Sequence, residues 1–294
     1  MPDLGYKHSI REGFSVTSIL MEGRAYWTLF TAAFIGTAVW ESFRPKRILS
    51  SSVERRWGSH AIIMIAGSLV ATLVYRMSPV VLASAVANSR FGLLNRSPLP
   101  LVARWLITFV ALDLARYALH RATHSVLLLW RLHQVHHSDP DFDVSTAVRH
   151  HPAEMIFTQG AYLAVVAVLA PPAGAVLAAE LASCFQSFFM HANASLPSWV
   201  EKALGAVYIT PDFHRIHHSA EVSEQSRNLG DILPWWDHLF GTYLARPAAG
   251  QDRIVIGLKG VEPERGISPA FMLTSPFRAL PEELSAADLP IGEV

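Results

Sequence analysis

The 294-residue chain carries a His-x-x-His-His pattern twice. The first copy is His133, His136 and His137 in RLHQVHHS; the second is His214, His217 and His218 in DFHRIHHS. A further pair, His120 and His124, stands upstream in HRATH. Twelve of the fourteen histidines lie between residues 120 and 238, so the enrichment is local. Imidazole is the side chain transition metals most often use near neutral pH. Residues three and four apart share a helix face, so each group is expected to turn all its rings toward one spot. A single pair of this kind serves equally well as a helix end or polar surface. Three groups, two of them identical, point to metal. Eight such imidazoles exceed the needs of one ion and suit two.

An all-nitrogen donor set suits zinc, copper or iron. Structural zinc takes four ligands and often uses cysteine, whereas this chain has one cysteine, Cys184. Two irons at the edge of a bilayer would suit dioxygen activation, directed at an unactivated C–H bond of a substrate entering from the lipid. Asp113, Asp143, Asp212 and Asp231 are the nearby carboxylates. For each, a helix cap or surface role is expected ahead of orienting a ring.

The composition says what holds such a site. The chain is 51% hydrophobic and 16% charged, against about a quarter charged in ordinary soluble domains. An all-α integral membrane bundle of about four spans is expected, with a histidine-rich metal domain on the cytoplasmic side. Candidate spans are residues 26–43, 61–87 and 101–119, and a two-helix hairpin within 155–190 broken at Pro171, Pro172 and Gly174. Arg104, Asp113 and Arg116 imply that one face of the third meets protein, and Glu180 and Gln186 are unusual in the hairpin. Basic residues in the loops at 44–56 and 121–149 place all three histidine groups on the cytoplasmic side. The chain divides into an N-terminal membrane region (1–119), a catalytic region (120–246) and a peripheral tail (247–294). No signal-peptide pattern opens it, no repeat is seen, and a net charge of zero gives no footprint for nucleic acid.

Taken in order, HRATH, LWRLHQVHHS, RHHPAE, FMHANAS, TPDFHRIHHS and WWDHLFGTY resemble the fatty acid hydroxylase / sterol desaturase superfamily of membrane-embedded di-iron oxygenases. The resemblance covers residues 111–244. It implies that His120 and His124, then His133, His136 and His137, then His214, His217 and His218 are the catalytic metal ligands, and adds His191 as a ninth. Related hydroxylases carry a further histidine four residues before this one; here that position is Ser187, so this group is incomplete. In RHHP, an adjacent pair cannot share a helix face: His150 is expected near the metals and His151 as a cap, with a helix starting at Pro152. His238 is read as structural, because arginine is frequent there in the family, and Ser226 stands where an acidic residue often precedes Asn228. His8 and His60 are read as incidental.

The expected activity is hydroxylation of a lipid (sterol, fatty acyl, sphingolipid or ether lipid) using O2 and two bound irons, with zinc able to replace iron in purified protein. Desaturation on the same site is the alternative. A membrane metal transporter or metal-binding protein is the alternative of another class, and the clustering of histidines on one side counts against transport. Lacking a dinucleotide fingerprint, haem attachment motif or cysteine cluster, the chain would need a separate electron donor, a ferredoxin or a cytochrome with its reductase. The basic loops at 44–56 and 121–131 are candidate docking surfaces, though the positive-inside bias explains them better. The expected location is a bacterial inner membrane, or the endoplasmic reticulum in a eukaryote. The sequence names no lipid, no carbon and no oligomeric state.

Overall fold

A computed structural model describes residues 16–278 apart from 88 and 90, with side chains from residue 23 onward. Among these residues there is no β-strand; the chain is a succession of helices. They are α1 (Val16–Phe43), α2 (Val53–Tyr75), α3 (Pro79–Val86), α4 (Leu101–Ser125), α5 (Leu127–His137), α6 (Pro152–Leu169), α7 (Ala173–Met190), α8 (Ser198–Leu204), α9 (Pro211–His217), α10 (Val222–Gln225), α11 (Trp235–Leu239), α12 (Pro263–Gly266) and α13 (Pro269–Thr274). Starts follow local chemistry. Ser78, His151 and Thr210 each precede a proline at the first helical position and accept a backbone N–H with their side chains. His151 is thus a cap, as expected, its Nδ1 accepting from the Ala153 N–H at 3.1 Å.

Three helical stretches among the described residues are long and apolar enough to cross a membrane: Val53–Val86, which joins α2 to α3, then Pro152–Leu169 and Ala173–Met190. The last two are the expected hairpin, broken at residues 170–172. α1 and α4, where two further spans were expected, are not among them. In α4 the apolar run is interrupted by Arg104, Asp113, Arg116 and Arg121. Ile62, Ile65, Leu69 and Leu73 on α2 are more than half exposed, a fully apolar stripe suited to lipid.

The helices pack closely where side chains are small. Gly67 of α2 sits against Met155, and Gly160 of α6 against the Tyr75 ring, whose hydroxyl donates to the Ile156 carbonyl at 2.7 Å. Phe30 and Phe34 of α1 meet Phe188 of α7 edge-on. Leu112 of α4, Val166 of α6 and Val176 and Ala179 of α7 form the central core. Leu93 and Leu94 donate their N–H groups to the last carbonyls of α6, Val168 and Leu169. Gly92 makes that approach possible: its φ is +96°, and a Cβ there would lie 2.1 Å from the Ala170 Cβ. The segment after α11 returns across the base of α2 and α5, where Met272 packs on Ile63 and Val135.

A buried ionic network joins α2 to the turn after α5. Arg56 grips Asp139 with two hydrogen bonds and Asp143 with a third. Arg149 donates to the Val135 carbonyl and the Ser138 hydroxyl, and to the Gly266 carbonyl in the C-terminal segment. His60, read from the sequence as incidental, is fully buried here, its two ring nitrogens bonded to Ser145 and Arg149. It is a tether between α2 and the site-bearing turn. His8 lies outside the described residues.

Candidate metal centre

Four helices converge at one end of the bundle. α4 brings His120 and His124, α5 brings His133, His136 and His137, the C-terminus of α7 brings His191, and α9 with its cap brings His214, His217 and His218. All nine rings meet, and they sort into two groups whose ligand nitrogens lie within 4.8 Å of one another. One holds His120, His124, His133, His137 and His217; the other holds His136, His191, His214 and His218.

Neither His-x-x-His-His motif points to one spot, which corrects the expectation from spacing. A helix turns about 100° per residue, so the residues at i+3 and i+4 flank position i on opposite sides. His136 and His137 diverge, with ring planes at 87°, as do His217 and His218 at 90°. In α5 the i,i+4 pair His133/His137 serves the first group and His136 the second. In α9 the i,i+4 pair His214/His218 serves the second and His217 the first.

The donor chemistry fits metal. In the second group, Nε2 of His191 lies 3.3 Å from Nε2 of His136 and 3.1 Å from Nε2 of His214, which is 3.3 Å from Nε2 of His218. Metal–imidazole bonds of about 2.0–2.1 Å place neighbouring ligand nitrogens roughly 2.9–3.4 Å apart. In the first group, Nε2 of His124, His133, His137 and His217 is buried without a hydrogen-bond partner, a costly arrangement unless another partner takes the lone pairs. The far nitrogens are tied down. Nδ1 of His120 pairs with the Leu229 carbonyl at 2.8 Å, that of His217 with the Arg227 carbonyl at 3.1 Å, and that of His191 with the Ser187 carbonyl at 2.7 Å. An Nδ1–H donated outward leaves the Nε2 lone pair facing in. Burial, then repulsion from neighbouring rings, pushes His136, His137, His214, His217 and His218 well below the ordinary imidazole range. Burial takes His191 down to about 3. Neutral rings are the form that binds metal.

Two supporting residues escape a sequence reading. Glu154 accepts from Nδ1 of His133 at 2.6 Å and Nδ1 of His150 at 3.2 Å. Its signal was its place four residues after His150 in RHHPAE, in the first turn of α6, with His150 just before the cap. His150 itself stacks on His136, with centroids 4.6 Å apart and planes at 10°. Asp237 of α11 is buried and accepts the N–H groups of Leu229 and Gly230, fixing the loop whose carbonyl holds His120. Gly230 has no room for a side chain: a Cβ would sit 2.4 Å from Ile209 Cδ1 and 2.9 Å from the Leu233 carbonyl.

The four carboxylates flagged in the sequence bond to groups other than the nine histidines. Asp113 is buried and accepts from the Ile232 N–H and the Trp236 indole. Asp143 caps a short 3-10 turn, Val144–Val148. Asp212 pairs with Arg215. Asp231 accepts from Ser183. His238 is exposed, against Tyr243. A cavity of about 410 Å³ opens beside the rings, lined by His120, His133, His136, His150, His191 and His214 and continuing between α4, α6 and α7.

The model of the family described as "Fatty acid hydroxylase" matches residues 105–242, a segment that contains every ring of both groups as well as Glu154 and Asp237. Residues 105–242 belong to the fatty acid hydroxylase family. Curated relatives agree. An alkylglycerol monooxygenase of Danio rerio is 31% identical over 157 residues, 52% of this chain and 32% of that protein. An ornithine lipid hydroxylase of Rhizobium tropici is 28% identical, covering 49% of this chain and 43% of its own. A very-long-chain aldehyde decarbonylase of Oryza sativa subsp. indica is 29% identical, covering 56% and 62%. The chain thus spans about a third of the alkylglycerol monooxygenases it matches. No solved structure matches. The fatty acid hydroxylase segment and the three apolar helices mark a membrane protein.

Proposed function

We propose that this protein is a multi-pass membrane oxygenase that hydroxylates an unactivated C–H bond of a lipid at a di-iron centre. The observation that carries the reading is the pair of imidazole groups, five and four rings, buried beside a cavity that continues between apolar helices. All nine histidines are proposed as ligands. The match of residues 105–242 to the fatty acid hydroxylase family supports iron among the metals such donors accept. Relatives named as alkylglycerol monooxygenase and ornithine lipid hydroxylase support a lipid substrate.

Iron bound there supplies the redox chemistry of dioxygen activation. One oxygen atom enters the C–H bond; the other leaves as water, with two electrons and two protons from outside. The donor is a separate ferredoxin or cytochrome with its reductase. The chain's own part is placement and exclusion. Glu154 holds His133 and His150, and the Arg227, Leu229 and Ser187 carbonyls hold three rings in one tautomer. The packed ends of α4, α5, α7 and α9 keep bulk water from the rings. We place this end of the bundle on the cytoplasmic side, from the basic loops flanking it.

The test is metal analysis of native protein and His136→Ala, followed by incubation with lipid, reductant and ¹⁸O2. The reading expects about two irons per chain in native protein, fewer in the variant, and one ¹⁸O in the product. One metal or none, unchanged in the variant, would refute it.

A further inference from the structure

Glu180 is a charge in the apolar helix α7, Arg116 of α4 faces it, and the metal centre uses neither. Both line the cavity that the histidines line, together with Tyr162, Ser183 and Asp231. Nη2 of Arg116 donates to Glu180 Oε1, and its Nε lies 3.7 Å from Asp231 Oδ2. The guanidinium stands 4.5 Å from the centre of the Tyr162 ring, and Ser183 donates to Asp231 at 2.8 Å. Glu180 precedes His191 by eleven residues, which is about 16 Å along α7. The cluster therefore lies deeper among the apolar helices than the rings do.

Ionisable groups at such depth are costly and are retained where they act. A structural ion pair would need one carboxylate for Arg116; two are present. Nη1 of Arg116 still lacks a hydrogen-bond partner, and the Tyr162 hydroxyl makes no close hydrogen bond, Glu180 being the carboxylate within its reach. The side chains of Arg116, Glu180 and Asp231 retain 18%, 21% and 16% exposure at the cavity wall.

We propose that this wall recognises an uncharged, hydroxyl-bearing polar group of the substrate, with Arg116, Tyr162 and Glu180 as specificity-determining residues; the proposal rests on the lipid-oxygenase reading. A guanidinium N–H only donates, so the ligand must offer a lone pair, which an ammonium lacks. An ionised carboxylate only accepts, so the ligand must also donate a proton, which an ester or ether cannot. Two carboxylates around one guanidinium leave no surplus positive charge for a phosphate or fatty carboxylate. A hydroxyl meets both requirements. The alkyl chain has a place to go: Tyr26, Ala71, Gln159 and Glu180 also line a second cavity of about 580 Å³, which runs on to Val80, Val81, Met77 and Leu177.

The experiment uses the full-length, iron-loaded protein in lipid nanodiscs and three probes that share one chain: 1-hexadecanol, hexadecyl phosphate and hexadecyltrimethylammonium. Each competes with radiolabelled hexadecanol. Native protein is expected to bind the alcohol about tenfold or more tighter than either charged probe. Tyr162→Phe and Glu180→Gln should each weaken the alcohol about tenfold. Glu180→Gln should also narrow the gap to the phosphate, because the freed guanidinium edge can receive an anion. Iron content reports folding, and Tyr162→Phe alone suffices should Glu180→Gln lose it. Preference for hexadecyl phosphate in native protein, or alcohol binding unmoved by Tyr162→Phe with iron retained, would overturn the proposal. Turnover without this selectivity would sink the recognition wall alone, whereas selective binding with no oxygen-dependent product would sink the oxygenase reading.

Discussion

His136 and His137 are neighbours in sequence, yet their variants should behave differently, because they serve different groups. Removing His136 cuts the four-ring group to His191, His214 and His218; removing His137 cuts the five-ring group to four, still a full tetrahedral set. The size follows from metal affinity. Four-ligand structural zinc sites bind with roughly 10–16 kcal/mol, and on that scale one ligand of four carries about 2.5–4 kcal/mol. His136→Ala should weaken the second site on the order of 10²–10³-fold, and His137→Ala should weaken the first by much less. The assay is iron per chain across a chelator titration, with Mössbauer spectra to separate the two sites. His136→Ala should release one iron early and keep the other. His214→Ala, distant in sequence but in the same group, should copy it. If His136→Ala and His137→Ala empty the same site, or if His136→Ala and His214→Ala empty different ones, the partition is wrong.

Glu154→Gln keeps the shape but removes the charge that His133 and His150 point to; metal affinity at the five-ring group should fall about 10–100-fold, read by the same titration. Gly230→Ala forces the chain away from Ile209 and Leu233, an overpacking cost of about 1–3 kcal/mol, so the thermal midpoint in detergent should drop by several degrees while Gly174→Ala, 3.1 Å from a Trp105 ring edge, drops less. Metal-free protein should lose stability in acid. The buried rings of His136, His137, His214, His217 and His218 sit well below the roughly 6.5 of an unfolded histidine, so unfolding takes up protons. Their contribution is complete above about pH 6.5 and falls by up to about 1.4 kcal/mol per ring for each unit below it. A thermal midpoint that holds or rises between pH 7 and 5.5 would contradict this.

That these nine histidines would gather was legible because a metal site would need such side chains at helical spacing, and two identical motifs rarely arise from packing alone. The turn at Pro171 and Pro172 and the start at Pro152 were legible because proline acts locally. The division of the rings was not. It depends on how α5 and α9, distant in sequence, lie against one another, and spacing within one helix carries no such information. Glu154 was hidden by standing at the head of an apolar helix, where a capping carboxylate looks the same. Asp237 and His60 act through partners in other segments, and no local pattern announces a partner. Arg116 and Glu180 were visible as misfits, but only the fold shows that they face each other.

Because α5 and α9 each supply rings to both groups, neither centre can be assembled while the other is left for later. The two helices are stitched together twice, in opposite senses: two rings from one and one from the other, then the reverse. An inserted or deleted residue between His133 and His136, or between His214 and His217, would rotate the remaining rings by about 100° and take both centres apart at once. Length changes in the chain joining the helices would leave the stitching intact. Arrangement of the two sets of rings should therefore be a single event in folding, even where the two sites differ in metal affinity, and natural variants should vary in their connections while holding these two short intervals fixed.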